Sequence, residues 1–203
     1  MQGIEKQVIN RIYGNGRAWA FCRNDFTDLG SVAAIDQALS RLAKAGRIRR
    51  VLRGLYDYPP YSAMLKKEFH PNVDQVANAL ARKFGWQIQV SGNAALNILR
   101  LSTQVPTQYL YHSTGPSRDY ALGNLTLRFK KATLKDMGVK YAHTALLVQA
   151  LKALNQKLLS EAEQAAIREH FSTQQQQQIL KDARNVTSWV YQLIKTLFKD
   201  VAK

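Results

Sequence analysis

The sequence predicts an α+β protein in two parts, on three observations. Residues 1–60 join short helical periods to strand-like stretches and close on a basic ribbon ending at Pro59-Pro60. Residues 61–140 mix one clear helical period with alternating apolar and polar runs separated by glycine turns. From Tyr141 onward the apolar spacing is helical and remains so. The expected division is an N-terminal domain over 1–60 and a second domain over 61–203. Within the second, a mixed α/β portion (61–140) carries a small, mainly antiparallel sheet, and a helical bundle (141–203) follows.

Taken in order, Ile4, Val8, Ile9 and Ile12 recur at helical spacing, and Gly14 and Gly16 end that helix. Ala18 to Phe21 is short, apolar and aromatic, a strand or a packed connection. Asn24 or Asp25 is placed to cap a short second helix with Phe26 and Leu29 inward and Gly30 closing it. Ser31 then caps a third helix. Its buried stripe is Ile35, Ala38, Leu39, Leu42 and Ala45, which leaves Asp36, Gln37, Ser40, Arg41 and Lys44 outside. Gly46 stops it. Ile48, Val51 and Leu55 give the following ribbon an apolar side, with Arg47, Arg49, Arg50 and Arg53 outward and Arg53-Gly54 as its turn.

Between Arg41 and Arg53 the chain carries six basic residues and no acid. Three short helices followed by a basic β-ribbon read as a winged helix-turn-helix, and its chemistry is that of a DNA binder. The third helix would enter the major groove, with Ser31 and Val32 at its N-terminus close to the backbone and base edges, and Gln37, Ser40 and Arg41 reading bases. Lys44, Arg47, Arg49 and Arg50 would hold phosphates, and Arg53 at the ribbon tip would reach the minor groove. Asp36, acidic on the reading face, would pair with an arginine such as Arg41 and hold it in place, or else accept from a cytosine. With about five phosphates neutralised, affinity should fall with a salt slope near −4.5.

Further on, residues 61–70 read as a linker. A helix is expected from Pro71 to Phe84, with Val73, Val76, Ala77, Leu80 and Phe84 inward. A strand over Ile88 to Val90 and a short helix capped by Ser91 and bearing Ala94, Ala95, Leu96 and Leu99 come next. Three strands then surround the turns Thr114 to Ser117 and Gly123-Asn124. The last of them, Leu125 to Lys130, sets Leu125, Leu127 and Phe129 against Thr126, Arg128 and Lys130. Arg128, Lys130, Lys131 and Lys135 are a candidate second basic surface, for DNA or RNA, or simply a solvated sheet face.

In the tail, Leu147, Leu151, Leu154 and Leu158 form a stripe. Ser160…Glu163 and Ser172…Gln175 have capping-box spacing. Gln174 to Gln178 read as a solvated helix face. The final stripe is Val186, Trp189, Val190, Leu193, Leu197 and Val201.

Composition bounds the function. At 203 residues and 46% hydrophobic, the chain can bury a core. Its formal charge of +15 attracts polyanions without conferring sequence preference. Lys and Arg outnumber Asp and Glu by ten to five in residues 1–60, eleven to four in 61–140 and eight to five thereafter. The single cysteine, Cys22, fits a reducing cytosol and reads as a core residue rather than a nucleophile. No signal-peptide pattern or membrane-length apolar run is present, so a cytoplasmic protein without membrane contact is expected.

Enzyme signatures are missing. No Asp or Glu is followed two positions later by Lys, as Mg²⁺-dependent nucleases of that kind require. No Asp-x-Asp pair and no phosphate-binding Gly-x-x-x-x-Gly-Lys-Ser/Thr loop occurs. His70, His112, His143 and His170 lack metal-ligand spacing. No catalytic residue, metal or cofactor is expected.

Two stretches together resemble a known family. Asp25 to Pro59 (DFTDLGSVAAIDQALSRLAKAGRIRRVLRGLYDYP) and Val90 to Arg118 (VSGNAALNILRLSTQVPTQYLYHSTGPSR) look like the AbiEi-type antitoxins, the regulators of AbiE-like type IV toxin–antitoxin systems of bacteria. The resemblance spans about residues 4–135. It implies a winged helix that represses its own operon by binding inverted repeats as a monomer or weak dimer, and a second domain needed for antitoxicity. The opposing toxin would be a nucleotidyltransferase-like enzyme, countered without a stable complex. Ser31, Gln37, Arg41, Lys44 and the ribbon Arg49–Arg53 would inherit DNA contact. Ser91-Gly92 and Gln104-Val105-Pro106 belong to the second domain, with no chemical role carried over. The alternative is a stand-alone winged-helix regulator whose second domain senses a ligand or binds RNA.

Overall fold

The computed structural model describes residues 2–64, 66–102, 107–133, 138–155 and 158–199. The protein is α+β. It divides into two compact units, 1–86 and 87–203, so the division falls about one helix later than the Pro59-Pro60 boundary the sequence suggests.

In the first unit, α1 (Gln2–Gly14) leads to β1 (Ala20–Phe21), a 3-10 turn (Arg23–Phe26), α2 (Val32–Lys44) and a hairpin of β2 (Arg49–Leu52) and β3 (Leu55–Asp57). Strand β3 lies in the middle, antiparallel to both β1 and β2. The core is Val8 and Ile12 of α1, Phe21, Phe26, and Ile35, Ala38, Leu39 and Leu42 of α2, closed by Ile48. Helix α2 follows its sequence pattern closely. Ser31 accepts a hydrogen bond from the Ala34 amide, and every predicted stripe residue is buried except Ala45, which ends the helix in solvent.

The expected second helix is a single 3-10 turn. Asp25 does take part in its cap, but from inside the turn: its Oδ2 accepts from the Cys22 amide at 2.9 Å.

The residues expected as a linker form a second hairpin, β4 (Tyr61–Ser62) with β5 (Lys67–Glu68), paired Tyr61↔Glu68 and Ser62↔Lys67. Then α3 (Val73–Phe84) starts from Asn72, whose side chain accepts from the Gln75 amide, and stops at Gly85 with φ +68°. Phe84 does not face inward. It is exposed and stacks on Trp86 at 4.7 Å.

Helix α3 belongs to the first unit because its polar groups tie it there. Arg82 donates to Asp25 at 2.6 Å and to the Ala20 carbonyl at 2.9 Å, while the Asn24 amide donates to the carbonyls of Arg82 and Lys83. A 60-residue domain buries only about 60% of its unfolded surface. This added helix covers β1 and β3 and supplies the missing burial.

The second unit is built on a four-stranded sheet ordered β6-β7-β9-β8, from β6 (Ile88–Val90), β7 (Gln108–Ser113), β8 (Arg118–Leu122) and β9 (Leu125–Lys131). Two of the three pairings are antiparallel. The central one, β7 with β9, is parallel, because β9 returns between β7 and β8. Leu127 and Phe129 are buried as predicted, and Phe129 packs with Tyr111.

Helix α4 (Gly92–Ile98) lies against α5 (Ala142–Ala153). Gly92 makes this approach possible: a Cβ there would sit 2.8 Å from the Ala153 Cβ and 3.2 Å from the Gln149 carbonyl oxygen. Gly92→Ala should therefore destabilise the second unit by about 1–3 kcal/mol, overpacking outweighing the gain in helix propensity. A denaturant titration showing no loss of stability would contradict this close packing.

Among the described residues, α6 (Glu161–His170), α7 (Thr173–Asp182), a 3-10 turn (Ala183–Asn185) and α8 (Ser188–Leu197) follow. Both predicted capping boxes are present: Ser160 with Glu163 and Ser172 with Gln175 exchange reciprocal hydrogen bonds. Helix α5 is capped from a distance, since Asp182 accepts from the amides of Lys140 and Tyr141.

Three expectations in the tail hold in part: Leu147, Leu151, Val190 and Leu197 are buried and Gln174 and Gln177 exposed as expected, but each pattern has an exception. Leu158 is 88% exposed, beyond the end of α5. Gln176 is buried rather than solvated, because it donates to the carbonyls of Arg168 and Phe171 and joins the end of α6 to α7. The inward stripe of α8 is Val190, Ile194 and Leu197, with Trp189 and Leu193 at its margin. Gln104-Val105-Pro106, Lys135 and Val201 lie outside the described residues. Among the described residues no helix is long and apolar enough to cross a membrane.

Candidate nucleic-acid interface

The outer face of α2 and the β2–β3 hairpin carry most of the basic residues singled out in the sequence. Ser31, Val32, Gln37, Ser40, Arg41 and Lys44 are all exposed. Gln37, Ser40, Arg41 and Lys44 lie along the side of the helix opposite its core stripe and share a direction, while Ser31 and Val32 stand at its N-terminal end. Arg41 Nη1 stands 3.9 Å from Glu5 on α1, a long, exposed pair that holds it weakly. Asp36 does not pair with Arg41. It meets Arg23, from the 3-10 turn, at 3.2 Å. Arg47, just beyond α2, donates to the Tyr13 hydroxyl at 3.2 Å and is otherwise exposed.

The hairpin separates its arginines. Arg49 is not outward. Its Nε and Nη2 donate to the two carboxylate oxygens of Asp57 at 3.0 and 2.6 Å, and its Nη1 to the Phe69 carbonyl at 2.8 Å. Asp57 is completely buried, and burial pushes its carboxyl above the ordinary range even though Arg49 pulls it down. An ion in that position needs a bidentate partner, and Arg49 is fully used in supplying one. Arg50 and Arg53 are exposed and form no salt bridge with a described residue. The turn depends on Gly54, with φ +69°, a conformation that side-chain-bearing residues rarely adopt.

The cause of the exchange between Arg49 and Arg50 is a bulge. Leu52 opposes Leu55, but Arg50 opposes Tyr56 and Arg49 opposes Asp57, so Val51 is one residue too many. Without it, a regular two-residue hairpin would set Arg50 against Asp57.

Two basic residues that sequence reading passed over stand near this hairpin. Lys83, at the end of α3, donates to the Arg53 carbonyl at 2.6 Å. Burial lowers its pKa, and the cationic side chains of Arg23, Arg53 and Arg50 lower it further. The charges of the hairpin and of the 3-10 turn thus act on Lys83, although Arg23 is itself paired with Asp36. Only the fold brings Lys83 to the hairpin turn; nothing in its local sequence marks it.

The second basic surface is weaker than its sequence suggests. Arg128 is directly opposite Asp119 across β8 and β9, and donates to both its carboxylate oxygens at 2.6–3.0 Å. That pair is exposed but its charges cancel, leaving Lys130 and Lys131 as the exposed cations of the strand. Cys22 is buried in the first unit, and burial raises its thiol pKa, as suits a core cysteine.

A family model described as a family of unknown function (DUF6088) matches residues 7–179. No curated protein matches the chain. Among solved structures, the crystal structure of the RV2827C protein from Mycobacterium tuberculosis is similar at 14% identity and a TM-score of 0.41, over 98% of this chain and 78% of that one.

Proposed function

The chain belongs to the DUF6088 family, and for it we propose a winged helix-turn-helix protein that binds double-stranded DNA and represses transcription of its own operon. The observation that carries this reading is the joint placement of α2 and the β2–β3 hairpin. A helix with an exposed Gln37-Ser40-Arg41 face is followed by a ribbon that leaves Arg50 and Arg53 unpaired, and the ribbon's inner strand β3 is fixed to β1. On this reading Gln37 and Arg41 read base edges, with Gln suited to adenine and Arg to guanine. Lys44, Arg47, Arg50 and Arg53 hold phosphates. Arg49 is withdrawn from that set and holds the hairpin together.

The antitoxin role rests on the resemblance of the Asp25–Pro59 and Val90–Arg118 stretches to the AbiEi-type regulators. On it, the second unit opposes a nucleotidyltransferase-like toxin without a stable complex, and the operator is an inverted repeat. A gel shift with the DNA upstream of the coding sequence tests the repressor reading: that DNA should be preferred over random duplex, and equal binding would overturn it. Co-expression with the neighbouring toxin tests the division of labour. A fragment ending at Trp86 should bind DNA without rescuing growth, and rescue by that fragment would contradict the assignment.

A further inference from the structure

We propose that Lys83 is a positioning residue for DNA contact: from α3, outside the helix-turn-helix and its ribbon, it holds the hairpin tip so that Arg53 is presented to the phosphate backbone. This rests on the DNA-binding reading above.

The support is a chain of fixed contacts within the first unit. Asp25, in the 3-10 turn, receives Arg82, and Asn24 in the same turn donates to the carbonyls of Arg82 and Lys83. The end of α3 is therefore anchored before its side chains reach outward. From that anchor the Lys83 ammonium extends to the Arg53 carbonyl at 2.6 Å. Gly54 accommodates it: a Cβ at that position would lie 3.1 Å from Lys83 Nζ. The glycine is required by its positive φ, and it leaves the ammonium room beside the turn.

A two-stranded ribbon tip is ordinarily its most mobile part, because its backbone groups face solvent. Here one carbonyl of the turn has a charged donor from a separate helix. An ammonium engaged this way has less capacity for a phosphate, so its contribution to DNA binding passes through Arg53. Holding the Lys83 ammonium against the turn that carries Arg53 sets two cations close together. A bound polyanion relieves the repulsion between them, which favours the assembled tip in the complex.

The test uses the full chain with Lys83→Met, Arg53→Ala and the double variant. In free protein, amide exchange over Leu52–Leu55 should accelerate about tenfold in Lys83→Met, while exchange in α2 stays unchanged. Unchanged exchange at the tip would overturn the proposal, whether or not the protein binds DNA. With a duplex probe, Lys83→Met should weaken binding about tenfold and reduce the salt slope by about 0.9, as Arg53→Ala does; the double variant should lose nothing further. A simple folding defect would lower the active fraction without altering the slope. Additive losses would make Lys83 an independent phosphate contact and would overturn its positioning role. Absence of duplex binding by the wild type would sink the DNA reading itself, while the exchange measurement still decides whether Lys83 holds the tip.

Discussion

Arg49→Met should destabilise the first unit by about 3–5 kcal/mol, the largest single effect expected among its arginines. The reason is Asp57. It is fully buried, and both its oxygens accept from Arg49. Removing the guanidinium leaves a carboxylate with neither water nor counter-charge. The acid dependence of this loss is the sharper check. Burial raises the folded pKa of Asp57 above its ordinary value, so its ionisation opposes folding. Its contribution is greatest at low pH and falls as pH rises through the raised pKa. Losing Arg49 steepens that fall, so the difference between Arg49→Met and wild type should be smaller at pH 5 than at pH 7. Denaturant titrations of the intact chain, followed through amide signals of β1–β3, measure both. A loss under 1 kcal/mol, or one independent of pH, would return Arg49 to the surface.

Arg41→Ala should change which DNA is preferred more than how strongly DNA is held. A bidentate arginine–guanine contact contributes about 1–3 kcal/mol of discrimination at one base pair. Its only counter-charge within 4 Å among the described residues is the exposed Glu5, so little is lost within the protein on truncation. Selection from a random duplex pool should show relaxed preference at one position in each half-site. Arg50→Ala should instead weaken all sequences alike. An unaltered preference in Arg41→Ala would mean that α2 is not the base-reading element.

Helix α2 was legible almost residue by residue because everything that defines it is local: a serine cap, a 3.6-residue stripe and a glycine stop. The two capping boxes in the tail were legible for the same reason. The hairpin was legible as a hairpin but not in its register. Identical arginines at 49 and 50 cannot show which turns inward when a one-residue bulge at Val51 decides it.

Long-range polar contacts were out of reach altogether. Nothing near Lys83 announces that it meets Arg53 thirty residues away, and nothing near Asp36 favours Arg23 over Arg41. The boundary at Pro59-Pro60 misled for a related reason. Prolines do end the ribbon, but α3 returns to the first unit through Arg82, Asp25 and Asn24, a connection with no sequence pattern. In the second unit, the parallel pairing of β7 with β9 follows from where the chain returns, which strand periodicity does not encode.

The salt dependence of duplex binding tests the central claim most directly. With Lys44, Arg47, Arg50 and Arg53 on phosphates and Arg49 withdrawn, about four counterions should be released, giving a slope of log affinity against log salt near −3.6. Between 50 and 200 mM salt that is roughly a 150-fold loss of affinity. Arg49→Met, assayed where it remains folded, should keep that slope, and Arg53→Ala should reduce it to about −2.7. A wild-type slope shallower than about −2 would contradict binding through this face.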